Sequence, residues 1–558
     1  MKKSTIALSA TLAVLAVYAL SVLYAPLLGS YFFADDTQAI WFAASKSLGQ
    51  MFFDPDAYRG LSGSNFTPMV GVTFKIDWLL SGLDPRGYTL HNLLSVLLAG
   101  VALFLFLRLY TDALTSFGAS VLYLLNPLVF SVYSWCSSRH YLEGLAFALF
   151  ALYLQGKAER EGRVSLPAGG LYLIASLYKE VYVVLPALAF LITRGGFPER
   201  LKRTLPMWVC LLVYIVWRFQ MLGGIGGYPL GEALTIRTAA AGLLRLAEFF
   251  PLHLFGSFSL LFWAVAVLML CTLGRTRILF GVLALPVLLL PVVQVTGLID
   301  PSYPWARYML HISIFMLCMV SVWVYGMPDR SIWIRVPVYF LVTAMMGAFL
   351  VRDHAVKNTV IRERTISRTA AGEFMHSGAP YIHAKEVPWF YDGLFVLNKY
   401  FFGKEIPTMI IPEPRYQKYL SDERVKDILS KGYRLESPPD GSLKQGVLAG
   451  QIRTGGYRVE WDLGPWKDGS YLILRGRHEG LYDFVHTVTR QGFHHFGQYY
   501  PDGSPEVFFL RVVYRSPEGW EAVSDEYRFS VPGNTTITLN PKNAFGYRDG
   551  RHLCSKTS

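Results

Sequence analysis

Charge is what this sequence has least of. Only 16% of its 558 residues are Asp, Glu, Lys or Arg, where a soluble domain carries ~25%. With 53% hydrophobic and 15% aromatic residues and a mean hydropathy of +0.33, the shortage excludes an ordinary soluble domain. It points instead to a polytopic membrane protein. Cysteine is scarce as well: the five lie at 136, 210, 271, 318 and 554. There is no CxxC and no Cys/His pair at metal spacing, so neither a disulfide framework nor a zinc site is signalled. Acidic residues are fewer than basic ones, leaving a net charge of +12. A nucleic-acid partner would account for that, but topology accounts for it better, because the basic residues fall in short loops between apolar runs. No nucleic acid is therefore expected. Internal repeats and low-complexity tracts are missing. The glycine-rich stretch GGIGGYPLGE (223–232) follows a membrane helix, not a strand, so it reads as an outer loop and no nucleotide fingerprint.

Long apolar runs are what the chain has in abundance. Its basic start, MKK, precedes an apolar run longer than the ~7–15 residues of a cleaved signal, so the first run is read as a retained membrane helix. Runs near the ~20 residues needed to span a bilayer occur at 5–27, 90–109, 114–133, 142–156, 166–178, 181–193, 205–222, 255–273, 279–297, 308–326 and 334–351. That makes about eleven candidate spans. With Lys2 and Lys3 in the cytoplasm, alternation puts Arg108, Lys157, Arg160, Arg163, Arg194, Arg200, Lys202, Arg203, Arg275, Arg277, Arg330 and Arg335 on the cytoplasmic face as well. The opposite face receives the first loop (28–89), the turns near 134–141 and at Lys179–Glu180, residues 223–254 and 298–307, and everything after 352. Segment 238–253 is too polar to span and is read as an interfacial helix. The expected location is the inner (plasma) membrane, multi-pass, with the N-terminus cytoplasmic and the C-terminal domain periplasmic or otherwise extracytoplasmic.

The chain changes character after the last span. An amphipathic helix is expected to leave the membrane, and from about 440 the pattern has period two. In YRVEWDLG, Tyr457, Val459, Trp461 and Leu463 share one face and Arg458, Glu460 and Asp462 the other. Further strand-like runs are separated by DG, SPEG and PGN turns, which suggests a small β-sandwich. The expected organisation is a membrane domain (1–351), a mixed helical region (352–440) and a β-sandwich-like domain (441–558), giving an α-helical membrane protein with a C-terminal extracytoplasmic α+β domain.

Polar residues at the edge of the outer face carry the functional reading. In YFFADDTQAIWF (31–42), Asp35 and Asp36 follow the first span. Carboxylates near a bilayer cost several kcal/mol unless solvated, paired or used. Asp36 has the position to cap the following helical pattern, while its neighbour faces elsewhere. Arg139 and His140 lie between the third and fourth spans, Lys179 and Glu180 between two short runs, and Arg307 and Tyr308 at the start of another. Each has a bland reading: arginines snorkel to headgroups, and Lys179 pairs with Glu180 or a neighbour. Together on one face, the carboxylates and three cations make a site for a lipid-linked phosphate, which Arg grips bidentately and Lys as a point charge.

FADDTQAI, NFTPMVGVTFKIDWLLSGLDPRGYTLHNLL, SSRHYLEGLAF, SLYKEVYVVLP and ARYMLHISIF occur in this order. The series resembles the GT-C superfamily of membrane glycosyltransferases over roughly residues 1–320, closest to TMTC-type protein O-mannosyltransferases. The resemblance implies a GT-C fold and transfer of a sugar from a polyprenyl-phosphate donor to an acceptor hydroxyl on a protein, lipid or glycan, with inversion. It implies Asp35 as general base, and Asp36 orienting the loop or binding a divalent cation such as Mg or Mn. Arg139, Lys179 and Arg307 would then hold the donor phosphate, with His140 or Tyr308 as polar support. Two features depart from the pattern: Thr67 stands where the family has a basic residue before the loop proline, and no tetratricopeptide repeats follow the membrane part. A membrane transporter or flippase of a lipid-linked or anionic substrate, and a non-catalytic surface scaffold, are the competing classes. A transporter would show inverted repeats, and none is visible here.

Overall fold

The computed structural model describes residues 3–59, 61–62, 65–224, 244, 248–295, 305–327, 332–377, 381–383, 391–403 and 408–410, and from 450 to 553 the strands below with a few flanking residues. The chain is a polytopic helical membrane protein. Among the described residues seven helices are long and apolar enough to cross a bilayer, or eight if one bent pair counts as a span. The seven are Ile6–Leu27, Pro85–Leu107, Phe197–Leu222, Glu248–Thr272, Arg275–Val292, Arg307–Tyr325 and Ile332–Thr369. The expected count was higher for three reasons. The run at 142–156 lies in a helix, His140–Arg160, that carries Glu143 and a basic last turn. Those at 166–178 and 181–193 fold as the short helices Leu166–Tyr178 and Glu180–Ile192. The run at 114–133 is the bent pair, Ala113–Leu124 with Pro127–Tyr133. Apart from the count, the segment read as an interfacial helix, 238–253, lies mostly outside the described residues, and its described end, from Glu248, is the start of a span.

In chain order the helices are α1 (Lys3–Tyr18), α2 (Asp36–Ser45), α3 (Leu48–Phe53), α4 (Pro55–Arg59), α5 (Pro68–Ser81), α6 (Pro85–Leu107), α7 (Ala113–Leu124), α8 (Pro127–Tyr133), α9 (His140–Arg160), α10 (Leu166–Tyr178), α11 (Leu185–Ile192), α12 (Phe197–Leu222), α13 (Ser259–Thr272), α14 (Arg275–Leu289), α15 (Leu310–Tyr325), α16 (Ile332–Ser377) and α17 (Tyr391–Val396). The chain divides into two compact units. One comprises residues 1–31, 65–228 and 234–364; the other comprises 32–64, 229–233 and 365–558. The first loop thus groups with the C-terminal region, and α16 runs without a break past the expected membrane boundary at 351.

Two local sequences explain the geometry of the first unit. GLDPRGY (82–88) is a turn specification. Gly82 ends α5 at φ +56°, a conformation L side chains avoid. Asp84 caps α6, accepting from the Arg86 amide at 3.0 Å, and Pro85 occupies the first helical position. A Cβ at Gly87 would collide with Ser81, and the Tyr88 hydroxyl donates back to the Gly82 carbonyl at 2.8 Å. Asn126-Pro127 breaks the expected span 114–133, because a residue before proline avoids helical angles. Asn126 is extended (ψ 122°) and its side chain accepts from the Leu128 amide. The two halves bend by 55°. The freed Leu124 carbonyl accepts from the Tyr24 hydroxyl at 2.8 Å, and the Asn126 amide donates to Ser313 Oγ at 2.8 Å.

In the second unit α2 packs on α17. Trp41 stacks on Tyr400 with centroids 4.8 Å apart, and Thr37 Oγ1 donates to the Gly393 carbonyl at 3.3 Å. Beyond 449 the chain forms strands, as the period-two pattern indicates. One antiparallel sheet contains β5 (Ser470–Gly476), β6 (Phe484–Thr489), β8 (Glu506–Arg515), β9 (Glu521–Val523) and β10 (Tyr527–Val531), in the order β10-β8-β5-β6 with β9 also on β8. A second contains β3 (Gly450–Gly456), β4 (Arg458–Trp461), β7 (Phe493–His495) and β11 (Gly533–Leu539), in the order β11-β3-β4-β7. Along β8, Phe508, Leu510 and Val512 alternate on one buried face. Short pairs β1 (Tyr381–His383) with β2 (Thr408–Ile410), parallel, and β12 (Gly546–Arg548) with β13 (Arg551–Leu553), antiparallel, complete the described strands.

Candidate functional site

The sequence singled out seven residues, and the fold distributes them over three places. Lys179, Arg307, Tyr308 and His140 come together in the first unit. Lys179 is extended (φ −156°, ψ 135°), so it interrupts the helical path between α10 and the 3-10 turn Glu180–Val184. That break lets its ammonium sit 3.3 Å from Glu180 Oε2 and 5.2 Å above the Tyr141 ring. Glu180 also accepts from Arg218 and from the Phe66 amide, the latter at 2.9 Å. Arg307 lies over Trp135, with its guanidinium carbon 4.3 Å from the ring centroid, and donates to the Tyr308 hydroxyl at 3.3 Å. Tyr308 meets Tyr141 edge to face at 6.1 Å, and Tyr141 meets His140 at 4.7 Å. A continuous band therefore runs from Trp135 through Arg307, Tyr308, Tyr141, Lys179 and Glu180 to Arg218.

The electrostatics of this band favour an anion. It holds three permanent cations: Lys179 and Arg218 paired with Glu180, and Arg307 on Trp135 and Tyr308. Burial works to raise the Glu180 carboxyl, but Lys179 and Arg218 overcome it and hold the group down at about 2. Burial, then the charges of Lys179 and Arg307, push the His140 ring well below its ordinary value. Lys179 is 5% exposed and Tyr308 4%, and the aromatic walls lower the local dielectric and strengthen every charge inside.

Arg139, expected on a phosphate, is instead paired within a second cluster. Its side chain is fully buried. It forms an ion pair with Asp77, reaches Glu143 with Nε at 4.0 Å, and lies over the Phe74 ring at 4.3 Å. His91 closes the cluster, with Nδ1 2.7 Å from Asp77 Oδ1 and Nε2 3.1 Å from Glu143 Oε1. Two carboxylates and two basic groups so placed form a self-compensating core network. Arg218, which the sequence did not single out, is the cation that joins Lys179 on Glu180. Signals for the missed residues existed: Glu143 is four residues after Arg139 on one helix face, and Asp77 is an acid within an otherwise apolar helix.

Asp35 and Asp36 belong to the second unit. Ala34 has φ +46°, a left-handed conformation uncommon for a residue with a Cβ and of the strained kind that gathers at functional sites. It throws the chain into a tight turn. The Asp36 amide donates to the Phe33 carbonyl at 3.0 Å, and Asp36 Oδ2 accepts from the Phe33 amide at 2.9 Å. Asp36 therefore begins α2 and clasps the turn behind it, where a forward cap had been expected. It is 1% exposed. Asp35, at the cap position, makes no side-chain cap bond and is half-buried. The two carboxylates thus sit differently, Asp36 holding the turn and Asp35 half-buried at the start of α2. Among the described residues no group of three or more His, Cys, Asp or Glu side chains is arranged to hold a metal ion. No protein-family model, no curated protein and no solved structure matches the chain.

Proposed function

We propose that the protein is a membrane glycosyltransferase of the GT-C kind, moving a sugar from a polyprenyl-phosphate donor to an acceptor hydroxyl with inversion at the anomeric carbon. The observation that carries this reading is the aromatic-walled band in which Lys179 and Arg218 pair with Glu180 and Arg307 lies over Trp135, which suits a phosphate on an apolar tail. In this reading the acceptor oxygen attacks the anomeric carbon and its proton passes to the Asp35 carboxylate. The bond from that carbon to the phosphate oxygen breaks, and the departing polyprenyl phosphate keeps the electron pair. Lys179 and Arg307 stabilise the charge that grows on it; Arg218 fixes Glu180, and Glu180 fixes Lys179. Asp36 holds the turn that presents Asp35. The N-terminus would lie in the cytoplasm and the C-terminal strands on the far side, where the two antiparallel sheets would pack as the expected sandwich and meet acceptors.

The test is purified full-length protein with polyprenyl-phosphate sugars and a panel of protein, lipid and glycan acceptors, read by release of free polyprenyl phosphate. Wild type should turn over, Asp35→Asn should fall by at least a hundredfold, and Lys179→Met and Arg307→Met should raise the donor KM tenfold or more. Equal rates for Asp35→Asn and wild type would remove the base from the scheme. A carrier for the same lipid is the second reading, favoured by the broken pair α7–α8. It predicts movement of labelled lipid across proteoliposomes without any acceptor.

A further inference from the structure

One cavity of the membrane unit differs in character from the cationic band. It encloses about 620 Å³ between α9, α11, α14 and α15, within the range of ligand pockets. Two contacts fix its long axis. At one end the Arg277 guanidinium lies against Gly326, where an added Cβ would stand 3.3 Å from Nη1. At the other, His311 Nε2 is hydrogen-bonded to the Leu288 carbonyl at 2.9 Å. Arg277 to Leu288 on α14 and His311 to Val322 on α15 therefore form antiparallel walls. Each wall is about 16 Å long at ~1.5 Å per residue, close to the ~15 Å of one leaflet, half of a ~30 Å hydrocarbon core.

The polar groups are unequally shared between the ends. Arg194, Arg277, Thr276 and Tyr110 line one end; the walls beyond are mostly Leu, Ile, Val, Phe and Ala. Both arginines are exposed, so their charge meets solvent or a headgroup. Glu159 is turned to the backbone there, accepting from the Arg194 amide at 2.7 Å. An apolar slot one leaflet long, capped at a single end by two guanidinium groups and two hydroxyls, matches a molecule with one negative end. We infer that this slot binds an anionic glycerophospholipid, with an acyl chain along α14 and α15 and the phosphate between Arg194 and Arg277. The inference does not rest on the glycosyltransferase reading.

The test is native mass spectrometry of the delipidated full-length protein, titrated with phosphatidylglycerol and with phosphatidylcholine of the same chains. Wild type should take up one phosphatidylglycerol at least tenfold more tightly than phosphatidylcholine. The double variant Arg194→Gln, Arg277→Gln should lose that preference, and Ala148→Phe, which fills the slot, should lower binding of both lipids. Leu152→Phe serves if Ala148→Phe does not fold, with thermal unfolding as the check on each. Equal binding of the two lipids by wild type, or undiminished preference in the double variant, overturns the inference. So does displacement of phosphatidylglycerol by polyprenyl phosphate at equal concentration, which would give the slot to an isoprenoid tail.

Discussion

Asp77→Asn keeps the shape of a buried side chain and removes its charge. Asp77 is 4% exposed and its partner Arg139 fully buried, so solvent offers the stranded guanidinium no help. The nearest remaining carboxylate is Glu143, 4.0 Å from Nε and already shared with His91 at 3.1 Å. Breaking a buried ion pair from one side costs about 3–5 kcal/mol. The lower end applies, because Glu143 still faces the guanidinium. About 3 kcal/mol is a factor of roughly a hundred in an opening equilibrium. Cys136, buried three residues before Arg139, reports on it directly. In a background with the other four cysteines replaced by Ala, labelling of Cys136 by a maleimide in detergent should run about a hundredfold faster in Asp77→Asn, since rapid reclosing makes the rate follow the open population. Glu161→Gln, which removes an ion pair whose Arg163 is 70% exposed, should change it by less than fivefold. Replacing both members, Asp77→Leu with Arg139→Met, should recover most of the loss, because no lone charge then remains in the core. A rise of less than threefold in Asp77→Asn, or a double variant as fast as the worse single, would refute the reasoning.

The Glu180 carboxyl sits at about 2 in the folded protein against 4.5 when free. The folded state therefore binds fewer protons, and the stabilisation, on the order of 3 kcal/mol, is complete above pH 4.5 and is lost as pH falls toward 2. Thermal unfolding in detergent, followed between pH 6 and pH 3 by intrinsic fluorescence, should show a falling midpoint that is shallower in Glu180→Gln. A Cβ at Gly144 would stand 2.5 Å from Tyr182 Cε2, whereas one at Gly170 meets nothing within 4 Å. Gly144→Ala should then cost about 1–3 kcal/mol by overpacking, and Gly170→Ala should stabilise the helix by up to ~1 kcal/mol. A lower thermal midpoint for Gly170→Ala than for Gly144→Ala would count against the packing described.

The membrane class was legible because it rests on composition and run length, which need no tertiary information. The turn GLDPRGY was legible too, each residue answering a local backbone demand. What periodicity could not reveal was where a helix breaks inside an apolar run. Asn126-Pro127 was absorbed into a single span, although the dipeptide itself carries the breaking signal. Lys179 and Glu180 were expected to pair with each other or with a neighbour, and they do, but Arg218 joins them from the end of another span, 38 residues on. No spacing rule reaches that far. The partners of Arg139 were not legible, because a lone arginine beside an apolar run reads the same whether it faces lipid phosphate or a buried acid. The acids that claim it, Asp77 and Glu143, come from two different helices. The grouping of the ADD loop with the C-terminal region depends on contacts such as Trp41 with Tyr400, more than 350 positions apart.

The break at Asn126 has a consequence for how the chain is made. A backbone or side-chain amide left unsatisfied in hydrocarbon costs several kcal/mol. The Asn126 amide finds its acceptor on Ser313, 187 residues later. During synthesis α7 and α8 reach the membrane long before that acceptor has been translated, so the bent pair cannot reach its final state alone. Membrane biogenesis must hold this segment in a provisional position, in water, at the interface or against the insertion machinery, until α15 arrives. Ser313→Ala would then show its defect first as slow or protease-sensitive assembly in pulse-labelled membranes, with less effect on the protein once it is complete.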